Sequence, residues 1–174
     1  MARLTTYYAN RPPLSSPGAA LAAVNRVRYA PRNGFAYRVA GTQVQGSPDR
    51  QNWTTLHTIG ATPPENQFSE TSFANSLAYR YIRVLMPVNS YGNLTELEFY
   101  HDATRLTGTP FGSPGSYQNN GSTFDKVFDG NVDTFFDAPD GNPVEMGLEL
   151  AYLPAAPGDF SAADFSPTDF KVTG

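Results

Sequence analysis

Apolar and polar side chains alternate with period two over residues 37–45, 54–59, 79–86 and 94–100, and Gly, Pro, Asn and Ser clusters bound each run. Such alternation turns one face of a strand to a core and the other outward, while the bounding residues break the chain into turns. The four runs therefore read as antiparallel strands of a β-sandwich. In the last, Leu97 and Phe99 face the core and Glu96 and Glu98 project from the opposite face. Residues 19–24 have room for one helical turn. His57 falls mid-strand and faces solvent, and Trp53 beside Leu56 reads as core.

Composition agrees with one compact all-β domain. Hydrophobic residues make up 40% of the 174, aromatics 13%, and there are 15 Gly and 15 Pro, which is core material with many turns and little helix-forming content. The net charge is −4, and the 12 Lys and Arg are scattered without a basic block, so a nucleic-acid backbone finds no electrostatic footprint. No apolar run is long enough to insert in a membrane. Catalytic patterns are missing too: there are two His and no Cys, with no His-Glu-x-x-His, Gly-x-Ser-x-Gly or phosphate-cradling Gly-rich loop. Glu96 and Glu98 have the carboxylate separation of a glycosidase pair if they share a face, and a metal role for Glu96 would set that pair aside. The expectation is a protein that is not an enzyme.

One stretch carries candidate chemistry. From Lys126, oxygen donors recur at Asp129, Asn131 and Thr134, at spacings of three, five and eight. A bent loop of this kind can wrap a hard cation, which takes several carboxylate and carbonyl oxygens. An EF-hand is excluded, since its sixth position would be Thr134 instead of Gly and its twelfth Asp140 instead of Glu. On spacing alone a hairpin turn at Asp129-Gly130-Asn131 is an equal reading.

Five motifs together resemble the discoidin, or coagulation-factor type C, family. They are Phe128-Asp129-Gly130-Asn131 with Asp133-Thr134-Phe135-Phe136, then Tyr29-Ala30-Pro31-Arg32, Val44-Gln45-Gly46-Ser47 ahead of Asn52-Trp53, Tyr79-Arg80-Tyr81-Ile82-Arg83, and Glu96-Leu97-Glu98-Phe99-Tyr100. Within that family they look most like the family 32 carbohydrate-binding modules. The resemblance implies an antiparallel, galactose-binding-domain-like jelly roll. The order is rotated, because in the family the Phe-Asp-Gly-Asn block comes first and the Glu-x-Glu-Phe block last. A circularly permuted domain over 21–150, reconnected through 101–105, explains this more simply than two partial repeats, whose sheet edges would lie uncovered.

The resemblance also implies structural calcium, held by carbonyls at Lys126 and Thr95, by Asp129, by the Asn131 position, by Thr134 and by the Glu96 carboxylate. Two carboxylates among neutral oxygens would offset a divalent charge and tie two distant segments together. For a glycan, it points to Arg32, whose fork can donate to adjacent hydroxyls. The Asn that follows in sugar-binding relatives is replaced by Tyr37, with Asn33 nearby. Tyr91, Phe111, Tyr117 and Phe136 are candidate stacking rings, with Tyr91 and Asn93 the favoured pair.

Two functions of different class follow: a non-catalytic, calcium-containing, lectin-like module for glycan or cell-surface attachment, or a structural or decoration subunit of a virion on the same scaffold. The N-terminal stretch lacks the apolar region of a secretory signal, whereas such modules usually work outside cells, so an extracellular or virion surface is expected. An N-terminal arm, 1–20, and a C-terminal arm, 151–174, with Asp-Phe at 159–160, 164–165 and 169–170, would contact other copies in a homo-oligomer or virion neighbours, or pack on their own domain with 151–174 as a completing strand.

Overall fold

Strand β5 (Tyr81–Met86) shows how the pattern becomes structure: Ile82, Val84 and Met86 are buried, and Tyr81, Arg83 and Leu85 point the other way. The computed structural model describes residues 21–151. Its other strands are β1 (Arg26–Pro31), β2 (Gln43–Ser47), β3 (Thr54–Thr58), β4 (Ser69–Ser72), β6 (Leu94–His101), β7 (Thr104–Arg105), β8 (Gly108–Gly112) and β9 (Val144–Leu150). They form a four-stranded sheet in the order β4-β1-β6-β7 and a five-stranded sheet in the order β3-β2-β5-β9-β8. The paired strands run antiparallel, as expected of the β-sandwich. Val27, Leu97 and Phe99 from the first sheet, with Val44, Ile82, Val84, Met86 and Met146 from the second, supply buried apolar side chains of the core.

The chain on both sides of the 101–105 connection builds the same sheet. β9 lies between β5 and β8, with Val84 opposite Met146 and Phe111 opposite Gly147. Gly147 is required there, since a Cβ would run into the Ile82 carbonyl and the Phe111 ring. Residues Leu21–Ala151 form one compact unit. The two arms and their Asp-Phe repeats lie outside the described residues, apart from Ala151.

Local structure departs from these expectations in several places. Residues 37–45 are not one strand: Ala36–Arg38 is a turn of 3-10 helix, Gly41 has φ +91°, and β2 starts only at Gln43. Residues 21–24 form no helical turn. Glu96 and Glu98 do project away from Leu97 and Phe99, yet both are buried. Trp53 is half-buried, with the Arg83 guanidinium 3.8 Å from its ring centre, and His57 stacks on Phe73 at 5.5 Å instead of facing open solvent.

Candidate functional site

The residues near 96 and those near 129 meet. A 3-10 helix, Phe124–Phe128, is anchored by the fully buried Val127 and packs on β6. It delivers the chain to Asp129, and Gly130 at φ +76° makes the bend that follows. The Asn131 N–H donates to Asp129 Oδ1 at 2.9 Å. Thr134 Oγ1 lies 2.8 Å from both Asp129 Oδ2 and the Asn131 carbonyl. The Phe136 N–H donates to the Leu94 carbonyl at 3.0 Å, fixing the end of the loop to the start of β6.

Glu96 closes this loop from the strand side. It is 2% exposed, and its Oε1 has no hydrogen-bond partner. Burial, and then the neighbouring Asp129 charge, push its carboxyl above the ordinary glutamate range; Arg105 and the Asn131 N–H oppose the rise. Glu96, Asp129, Asn131 and Thr134 are thus brought together, with Thr95 and Lys126 in the elements that carry them. The donor set is oxygen only, with two carboxylates and neutral oxygens, which suits a hard cation such as calcium better than a metal preferring nitrogen or sulfur. The orphaned Glu96 oxygen is where such an ion fits, because a buried carboxylate oxygen without a partner is otherwise costly. Among the described residues no group of three or more His, Cys, Asp or Glu is placed to hold a metal, at this loop or elsewhere, so the loop offers two carboxylates and neutral oxygens only.

A cleft of about 460 Å³ opens beside the loop. Arg32, Asn33, Asn66, Gln67 and Phe68 line one part of it, and Thr95, Val132, Asp133 and Phe135 another. The Arg32 guanidinium packs against two rings, 3.8 Å from the Phe135 centre and 4.7 Å from that of Phe35, and donates to Asp137 Oδ2 at 2.8 Å. Its fork is therefore held in place by protein groups before any ligand arrives. Phe68 is braced on one face by Arg28, at 3.7 Å.

The expected ligand residues divide. Arg32 and Asn33 line the cleft. Asn93 is buried away from the cleft: it is 0% exposed, accepts from Arg38 Nη1 at 2.5 Å, and donates to the Phe136 carbonyl at 3.1 Å and Asp137 Oδ1 at 3.0 Å. It orients the Asp137 that holds Arg32. Phe136 is 0% exposed and packs under Gly92, so no sugar can stack on it. Phe111 belongs to β8, is 7% exposed, and is flanked by Trp53, Tyr81 and Arg50. Tyr91 and Tyr37 lie outside the cleft, around Arg38, whose guanidinium sits 4.7 and 5.6 Å from their ring centres; Tyr37 is 60% exposed. Tyr117 is exposed in another short 3-10 helix, Tyr117–Asn119.

Sequence reasoning missed Phe68, Phe135, Asn66, Gln67 and Asp137. A signal existed for Phe135, since successive residues of an extended segment point to opposite sides and only one of Phe135 and Phe136 can be core. Asn66, Gln67 and Phe68 carried no signal, because an irregular loop between two strands brings them to the cleft.

The F5/8 type C domain family matches residues 20–97, so the discoidin resemblance read from the motifs is shown over that stretch. Among solved structures, the CBM62 from Clostridium thermocellum Xyl5A is similar at 29% identity, with a TM-score of 0.45. The match covers 51% of this chain and 63% of that one, so this chain spans less than two thirds of that module. No curated protein matches. No helix among the described residues is long and apolar enough to cross a membrane.

Proposed function

We propose that this protein is a non-catalytic carbohydrate-binding module that takes a glycan in the Arg32 cleft and calcium in the 129–134 loop, and that works on cell-surface or other extracellular polysaccharide. The observation that carries the reading is the cleft's lining: two aromatic rings, Phe68 and Phe135, with the amides of Asn33, Asn66 and Gln67 and a pre-positioned Arg32. A sugar has an apolar face and a rim of hydroxyls, and this lining offers surfaces for both. The charged lining residues are Arg32, already paired with Asp137, and Asp133. Neutral saccharides are favoured over uronates or sulfated sugars. The motif order is read as circular permutation, supported by β9 lying between β5 and β8.

A glycan array tests the reading. Binding to neutral saccharides is expected, and Arg32→Ala, with unchanged circular dichroism, should weaken it about tenfold or more, the worth of a hydrogen bond to a charged group. Silence of the folded, calcium-loaded protein across the array overturns the reading.

A further inference from the structure

The cation loop and the cleft share a wall. Between the candidate ligands Asn131 and Thr134 lie Val132 and Asp133, both cleft-lining, and Phe135 follows directly. On the strand side, cleft-lining Thr95 is the neighbour of Glu96 and donates to the Ala30 carbonyl at 3.3 Å across β1. Phe135 is also the ring that covers the Arg32 guanidinium. Its far side is fixed, because the Phe136 N–H is tied to Leu94 and Asp137 is tied to Arg32 and Asn93.

We propose that a divalent cation held by Glu96 and Asp129 controls the cleft, so that cation and saccharide bind with positive coupling; this rests on the reading of cleft and loop given above. Without the ion, the neighbouring Glu96 and Asp129 carboxylates repel, and the 131–134 segment is held by its own turn hydrogen bonds and by the Asn131 N–H toward Glu96. With the ion, the same charges are drawn together, which positions Val132 and Asp133 and presses Phe135 onto Arg32. A ligand that contacts this wall binds better when it is already set, and linkage then requires the saccharide to tighten the cation equally.

Calcium chloride added to the chelator-treated, ¹⁵N-labelled full chain tests the structural arm by two-dimensional NMR. The expected result is that calcium shifts the amide signals of Asn33, Asn66 and Phe68, across the cleft, as well as those of the loop. Shifts confined to 94–97 and 126–134, or none anywhere, overturn the proposal. The binding arm uses a saccharide found on the array: calcium should raise its affinity about fivefold or more, a usual coupling magnitude, and Glu96→Gln should abolish the difference. Equal affinity with and without calcium also overturns it. If no saccharide binds, the carbohydrate reading fails, while the NMR arm still decides whether the ion reaches the cleft.

Discussion

Glu96 and Glu98 stand two residues apart on one face of β6, and the register with β1 treats them oppositely. Arg28 lies across from Glu98, and Ala30 lies across from Glu96. Glu98 accordingly accepts from Arg28 at 2.8 Å and from the Tyr100 hydroxyl at 2.8 Å, with Arg105 at 3.2 Å. Burial alone would raise its carboxyl, but these three donors hold it below the ordinary glutamate range. Glu96 has the burial, a second carboxylate nearby and an unsatisfied oxygen. The difference separates a carboxylate completed by the protein from one whose Oε1 the protein leaves without a hydrogen-bond partner.

Four measurements can break or sharpen this contrast. Calcium should have the largest effect: at about a hundredfold excess over its Kd it adds about 2.7 kcal/mol. For a chain of this size that raises the melting temperature by about 5 to 10 °C. Coincident melts in calcium and in chelator would break the contrast. Next, Glu98→Gln should cost about 1 to 2 kcal/mol with or without calcium, since it leaves Arg28 and Arg105 short of a charged partner. A loss that depends on calcium would show the two carboxylates acting as one site. Glu96→Gln in chelator should cost less than Glu98→Gln by urea denaturation, because the neutral amide removes a buried charge whose Oε1 had no hydrogen-bond partner.

The smallest effect belongs to the 47–52 turn. Asp49 there is, like Asp129, a turn carboxylate satisfied by its own loop, through the Asn52 N–H, the Asn52 amide and the Gln51 N–H. Those bonds hold its carboxyl well below an ordinary aspartate near 3.8. Below that value the unfolded chain takes up a proton that the folded one refuses, so this contribution is present above pH 3.8 and fades as acid is added. Asp49→Asn should flatten the acid end of the stability profile slightly, with no dependence on calcium.

These differences were only partly visible in the sequence. Alternation revealed β3, β5 and β6, although only β5 is buried on one face and more open on the other, and β6 is buried on both. It could not reveal β4, a short polar edge strand, or β8, whose Gly and Pro read as turn although an edge strand tolerates Pro. The meeting of Glu96 with Asp129 was legible only through the family resemblance, because no local pattern links positions so far apart. What lies opposite Glu96 is a matter of register, so its orphaned oxygen appeared only in three dimensions. The cleft was half legible: Arg32 and Asn33 were found, but the candidate rings, with Tyr91 favoured, did not include Phe135, which lines it directly before the buried Phe136.

The most direct test of the central claim is calorimetric titration of calcium into the stripped protein and into Glu96→Gln, with circular dichroism confirming that both are folded. The account predicts one saturable calcium per chain in the parent and no measurable binding in the variant. Equal binding by both, or no binding by the parent, would contradict it.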